Sequence, residues 1–227
     1  MIDTIAFDGD DTLWHNESLF SMTQERFRSL LSHAADPADI DRRLLKAERE
    51  NLRVYGYGIK GFVLSMIETA VDLTEGRIAG RDIQSLIDFG KAMLDHPVDL
   101  LDGVADVVEG LSGRYRLLLV TKGDLFDQES KIARSGLAER FSAIEIVSEK
   151  DPDTYRRLLD RHGVAPARFV MVGNSVRSDI LPVLAVGGHA VHVPYHITWA
   201  HEEAEPPAEN YRRIDTLRDL PPLLTAW

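Results

Sequence analysis

Short apolar runs that end abruptly in polar residues set the rhythm of this chain. Residues 4–7 (TIAF) run into Asp8, Asp10 and Asp11. Residues 116–120 (RLLLV) run into Thr121, and residues 144–147 into Ser148, Glu149 and Lys150. Residues 169–172 lead to Gly173 and Asn174, and residues 190–193 to Pro194. Runs this short, without polar alternation, predict strands buried on both faces. Helical patterns separate them. One covers 104–111 and another starts after Asp124. A third has Asp151 as its N-cap, Pro152 at its first position and Gly163 just past its end. A fourth follows Ser178 and stops at Gly187 and Gly188. Strands alternating with helices predict an α/β fold, a Rossmann-like parallel sheet with helices on both faces.

Residues 16–96 obey a different pattern, with no convincing strand. Phe20, Thr23, Phe27, Leu30, Leu31 and Ala34 share one helical stripe, and Asp36-Pro37 opens a second helix. Phe62, Val63, Met66, Ile67 and Ala70 mark a third helix, and Ile83, Leu86, Ile87, Gly90 and Leu94 a fourth. The chain therefore divides into an α/β core of residues 1–15 and 97–227 and an all-helical insert of residues 16–96. His96-Pro97 is the exit hinge, because the residue before proline is pushed away from helix. Within the insert, residues 53–62 (RVYGYGIKGF) predict either a loop of fixed shape between two helices or an ordinary helix–helix turn with glycine caps. Residues 202–210, rich in Glu, Ala and Pro, predict a surface loop.

Composition narrows the function classes. The chain has 227 residues, 44% of them hydrophobic, enough to bury a proper core. It has no cysteine, which excludes disulfides and thiolate metal sites and suits a reducing cytoplasm. No apolar run approaches a membrane span, and MIDTIAFDGDD lacks the basic start and apolar stretch of a signal peptide. The expectation is a soluble cytoplasmic protein. A net charge of −11 argues against nucleic acid and membranes as partners. It also requires any phosphate site to build its own positive field.

Ligands of open parallel sheets bind beyond the carboxyl ends of the strands. The first strand delivers Asp8 and Asp10 there, the second Thr121, the third Lys150, and the fourth Asn174 and Asp179. A carboxylate pair, a hydroxyl, a cation and further oxygen ligands suit phosphoryl transfer, where positioning and charge neutralisation do most of the catalysis.

Four segments carry a family resemblance. FDGDDTLW, residues 7–14, resembles the first signature of the haloacid dehalogenase superfamily, hydrophobic residues followed by DxDxT. VTKGD (120–124) resembles the second, SEKDPDTY (148–155) the third and VGNSVRSDI (172–180) the fourth. They stand in the family's order, with room for a helical cap after the first. The resemblance implies that Asp8 attacks phosphorus and becomes an aspartyl phosphate. Asp10 then protonates the leaving oxygen and later activates water. Thr121 and the backbone N–H of Lys122 hold the phosphoryl oxygens, and Lys150 offsets the charge of nucleophile and phosphate. Mg²⁺ is the implied cofactor, held by the Asp8 side chain, the Asp10 carbonyl, Asp179 and Asn174. Asn174 departs from the commoner acidic residue of the fourth signature and removes one negative charge, which implies altered metal affinity. The implied partner is a small phosphorylated metabolite. Caps of this family help choose substrate, which makes Tyr55, Tyr57 and Lys60 candidates for that contact.

The same motifs serve phosphotransferases and mutases, which phosphoprotein protected from water would reveal. A 2-haloacid dehalogenase needs Asp8 but neither Asp10 nor a metal, and a non-catalytic binding module finds support only in Asn174. Asp11 and Thr12 read as residues that order the loop. Lys131 is the rival of Lys150 for the charge-offsetting role, but its place inside a predicted helix reads rather as part of a solvated face. Arg177 reads either as a phosphate contact or as half of an ion pair. His189, His192 and His196 show no metal-ligand spacing.

Overall fold

A computed structural model of the chain describes residues 1–225. Strand β1 (Thr4–Phe7) precedes four long helices, α1 (Glu17–Leu31), α2 (Pro37–Tyr55), α3 (Ile59–Leu73) and α4 (Gly80–Leu94). Then follow α5 (Val104–Ser112), β2 (Arg116–Lys122), α6 (Leu125–Ser135), β3 (Ala143–Val147), α7 (Pro152–His162) and β4 (Phe169–Gly173). A π-helical turn at Val176–Ile180 runs into the short α8 (Leu181–Ala185). The chain continues as β5 (His189–His192), β6 (Arg212–Arg213) and α9 (Leu220–Leu224).

The fold is the expected α/β one. Six strands form one sheet in the order β3-β2-β1-β4-β5-β6, and every pairing is parallel. β1 lies centrally, with Phe7 in register with Leu119 of β2 and Val172 of β4. The period of two along each strand sorts side chains between two cores. Ile5, Phe7, Leu117, Leu119, Val170 and Val172 pack on one face, against Val104, Val108 and Leu111 of α5 and Ile132 of α6. Ala6, Leu118, Val120, Phe169 and Met171 pack on the other, against Tyr155, Leu158 and Leu159 of α7 and Val183 of α8. With both faces covered, β1, β2 and β4 need the apolar runs that they have, whereas the edge strand β3 carries Glu145 and has no fully buried residue. β6 has only two exposed residues and hydrogen-bonds at the sheet edge, too short to leave a periodic signal.

Contacts group the chain into two units: Met1–Glu17, Val98–Lys122 and Gln128 onward in one, Ser18–Pro97 and Gly123–Asp127 in the other. The short segment Gly123–Asp127 thus groups with the helices, although it follows a sheet strand. The helical unit has its own core of Phe27, Leu31, Ile40, Leu44, Phe62, Met66, Leu86 and Met93. Asp36 caps α2 by accepting the Asp39 N–H, and Pro37 is its first residue, as the sequence indicates. Of the two readings of 53–62, the structure has the glycine-capped helix–helix turn and not the longer loop. α2 runs through Tyr55 and α3 begins at Ile59, leaving only Gly56, Tyr57 and Gly58 between them. Positive φ at Gly56 and Gly58 turns the chain within three residues, which glycine permits without strain. Among the described residues no helix is long and apolar enough to cross a membrane.

Leu118 is fully buried between β1 and β3, so Leu118→Ala should destabilise the fold by about 2–5 kcal/mol. Gly110 lies exposed in α5, and a methyl group added there would point into open space, so Gly110→Ala should stabilise the fold by about 0.5–1 kcal/mol. Urea denaturation of the two variants checks both signs.

Candidate active site

The carboxyl ends of the three middle strands meet where β1 stops. Asp8, the first residue past β1, keeps the sheet's spacing by donating its N–H to Val172 O at 2.9 Å. Its side chain is paired with the Nζ of Lys150, which lies just before α7. The same ammonium reaches Asp179 Oδ1 at 2.7 Å. Lys150 and Asp179 have side chains 1% exposed, and Asp8 10%. Burial pushes the Asp8 carboxyl up to about 7 against the pull of Lys150, with Asp179 and Asp10 adding repulsion. Burial would lower the Lys150 ammonium, but Asp179 and Asp8 outweigh it and hold the pKa above the usual lysine range. One ammonium therefore stays charged between two buried carboxyls.

Asp179 reaches this position through the π-helical turn. Ser175 caps the turn by accepting the Ser178 N–H, and donates its own N–H to Asp179 Oδ2 at 3.0 Å. Gly173 makes room for it, since a methyl group there would fall on the Asp179 carboxylate. Tyr155 donates its hydroxyl to Ser178 O at 3.1 Å and so supports the turn. Such turns often occur at functional sites.

Asp10 has a different surrounding. It accepts from the Trp14 indole at 2.6 Å, from the Gln128 amide at 2.9 Å, and from Lys131 Nζ at 2.7 and 2.9 Å. Lys131 also reaches Asn16 Oδ1 at 3.2 Å. Gly9 lets the Trp14 ring lie close, because a Cβ there would sit 2.7 Å from the indole. Asp11 adopts φ 59°, a conformation aspartate tolerates better than most residues. Its carboxyl accepts the N–H groups of Asn16 and Glu17 at the start of α1. Burial pushes it up to about 7, although those N–H groups oppose the rise. Thr12 is buried, with its hydroxyl 3.4 Å from Asp8 Oδ2 and 3.3 Å from Asn174 Oδ1, and it accepts the Asn174 N–H. Asp11 and Thr12 thus order the loop, as expected.

The remaining candidates divide. Thr121 is buried at the end of β2 and donates to Gln128 Oε1 at 3.3 Å, which links it to Asp10 through one amide. Lys122 directs its side chain to Ser178 Oγ at 2.8 Å and Glu202 Oε1 at 2.5 Å. Tyr55 is exposed at the end of α2, Tyr57 lies in the following turn, and Lys60 is in the first turn of α3. The Lys60 ammonium is paired with Asp124 at 2.9 Å, within the helical unit, so its charge is already engaged.

Three participants, Trp14, Gln128 and Glu202, were not singled out from the sequence, and a fourth, Lys131, was named there only as a rival of Lys150. Lys131 is buried against Asp10, which corrects the assignment to a solvated face. The signal was present, because Gln128, Lys131 and the core residue Ile132 fall on one stripe of α6. Glu202 belongs to the segment read as a surface loop, yet it is largely buried and accepts from Lys122, Ser175 and Ser178. Burial would raise its pKa, but the charge of Lys122 and these hydrogen bonds bring it down to about 2. No local pattern distinguishes Glu202 from its acidic neighbours. Arg177 donates to His201 O, a backbone contact that neither of its expected roles includes. His192 Nε2 lies 3.0 Å from Asn174 O, in a structural contact.

Among the described residues no three His, Asp or Glu side chains gather into a ready-made metal cage. The donors that do converge are the hard oxygens of Asp8 and Asp179, and the Asn174 amide joined to Asp8 through Thr12. This set fits Mg²⁺, which takes one or two carboxylates and leaves the rest of its shell to water and phosphate.

Comparison with known proteins agrees with this geometry. The family model for haloacid dehalogenase-like hydrolases matches residues 2–187. N-acylneuraminate-9-phosphatase of Mus musculus is 27% identical over 205 residues, covering 85% of this chain and 80% of that protein. The crystal structure of a haloacid dehalogenase-like family hydrolase from Xanthomonas campestris is 44% identical with TM-score 0.89, covering 99% of this chain and 91% of that one. A 2-haloacid dehalogenase from Pseudomonas syringae shares the fold at 21% identity and TM-score 0.66, over the full length of both chains.

Gly173→Ala should displace Asp179 from Lys150 and cost about 3–5 kcal/mol, the usual penalty for breaking a buried ion pair. Urea denaturation beside Gly110→Ala, a glycine change in open space, isolates the effect of the site.

Proposed function

The chain belongs to the haloacid dehalogenase-like hydrolase family, and from that premise we propose that it hydrolyses a small phosphate monoester through an aspartyl-phosphate formed on Asp8. The observation that carries this reading is the unequal treatment of two carboxyls two residues apart. Asp8 is buried beside Lys150 and Asp179, whereas Asp10 is held by a separate set of donors. In the first step an Asp8 oxygen attacks phosphorus, the ester P–O bond breaks, and Asp10 gives its proton to the leaving oxygen. In the second, water attacks the same phosphorus and passes a proton to Asp10, and the bond to Asp8 breaks to release inorganic phosphate. Lys150 offsets charge on the nucleophile, and Thr121 with the Lys122 N–H binds phosphoryl oxygens. Asp8, Asp179, Asn174 and the Asp10 carbonyl would hold Mg²⁺. Bound there, it neutralises phosphate charge and polarises the phosphoryl oxygens.

The phosphatase named among the relatives supports this reading over the dehalogenase named among the structural neighbours. A dehalogenase has no use for an Asp10 oriented by Trp14, Gln128 and Lys131. Release of chloride from 2-chloropropionate without metal would reverse that preference.

Asp8→Asn should abolish phosphate release from nitrophenyl phosphate while keeping the fold, and EDTA should silence the wild type until Mg²⁺ is returned. Near-normal turnover in the variant, or in thoroughly chelated enzyme, would defeat the mechanism.

Asp10→Asn distinguishes the two carboxyls. An alkyl ester leaves as a poor alkoxide and needs the proton, whose transfer typically contributes about 10²–10⁴-fold. A nitrophenyl ester leaves as a stable phenolate and hardly needs it. The variant should therefore lose alkyl phosphate turnover, but release a burst of nitrophenol and accumulate acid-trappable phosphoprotein. Equal slowing of both substrates with no burst counts against Asp10 as the acid-base.

A further inference from the structure

The matched family region ends at residue 187, and Glu202 lies beyond it. Glu202 is nevertheless built into the site. The turn in which its N–H bonds Trp199 O at 2.8 Å is pinned by Arg177, which donates to His201 O at 2.7 Å. The carboxylate then divides its oxygens. Oε1 accepts from Lys122 Nζ at 2.5 Å, while Oε2 accepts from the hydroxyls of Ser175 and Ser178, each at 2.6 Å.

Every proton in this network has one direction. Lys122 donates to the Ser178 hydroxyl, which donates to Glu202. The Ser178 N–H donates to the Ser175 hydroxyl, which also donates to Glu202. Only an acceptor at both oxygens completes the pattern, and each bond polarises the next. Ser175 caps the π-helical turn and Ser178 lies within it, and the Ser175 N–H fixes Asp179 Oδ2. Lys122 comes from the end of β2, next to Thr121. One carboxylate thus ties the strand end that carries Thr121 to the turn that carries Asp179.

We propose that Glu202 is a positioning residue of the active site: by clasping Lys122, Ser175 and Ser178 it sets the orientation in which Asp179 faces Lys150 and Asp8. The proposal rests on the function proposed above. Glu202 acts through the serines and touches no reacting atom.

The test compares wild type, Glu202→Gln and Ser178→Ala. Glutamine keeps size and one acceptor but presents an amide N–H₂ where the second oxygen stood, so it cannot serve Lys122 and both hydroxyls together. Glu149, 3.5 Å from Lys122, leaves that ammonium a carboxylate partner in the variant. Mg²⁺ binding to the free protein is measured by calorimetry, kcat and KM with nitrophenyl phosphate, and the thermal midpoint by scanning fluorimetry. Glu202→Gln is expected to weaken Mg²⁺ binding and lower kcat, each about tenfold, with KM and the midpoint near wild type. Ser178→Ala should do the same more weakly, and the double variant should fall short of the product of the two effects, as members of one network do. Wild-type Mg²⁺ affinity and kcat in folded Glu202→Gln, or a change confined to the thermal midpoint, overturn the proposal. If Glu202→Gln does not fold, Ser178→Ala, which leaves the Lys122–Glu202 pair intact, decides the matter by the same two readouts. An inactive wild type would defeat the phosphatase reading, while calorimetry would still decide the role of Glu202.

Discussion

Lys150 holds the centre of this molecule together. Its ammonium lies out of water between Asp8 and Asp179, which come from the ends of two adjacent strands. Burying ions costs several kcal/mol apiece unless geometry and hydrogen bonds compensate. Here the compensation is distributed over the fold. The register of β1 and β4 places Asp8 beside the β4 turn, Gly173 clears space for Asp179, and the Ser175 N–H takes the oxygen that Lys150 leaves. The parallel sheet matters because it brings these charges to one end, at positions its core residues fix.

Two carboxyls separated by a single glycine can take opposite roles because their surroundings differ. Asp8 is directed to the buried ammonium, while the Trp14 indole draws Asp10 to the α6 side, where Gln128 and Lys131 meet it. Gly9 supports this division by letting the indole pack over the backbone between them. Gln128 also receives the Thr121 hydroxyl, so the group proposed to bind phosphate and the group proposed to move protons share one amide. A change at Gln128 would therefore act on both, and single-variant kinetics at this position would mix binding with proton transfer.

Asn174 fits within the same scheme. Its amide replaces a charge in the fourth signature, but its backbone N–H and side chain remain tied to Thr12, and its carbonyl to His192. The position keeps its place in the network and lowers the negative charge around Asp8 and Asp179. The geometry gives no support to reading this substitution as the mark of an inactive binding module.

The chain's local patterns determined the fold class, the strands β1 to β5, the four helices of the insert and the residues Asp8, Asp10, Thr121, Lys150 and Asp179 at the strand ends. These follow from short-range rules. Buried strands must be apolar on both faces, helices repeat every 3.6 residues, and parallel strands send their carboxyl ends to one edge. Asp36 and Asp151 announced helix starts because capping is settled within three residues. Tertiary structure alone decided which charge meets which. Lys131 could be read as a rival of Lys150 or as a surface lysine until the fold placed α6 beside Asp10, and Glu202 looked like one acid among several until residues 175, 178 and 122 surrounded it. An ion pair across 80 or 121 residues leaves no periodicity in the sequence, because its partners become neighbours only when the intervening chain has folded.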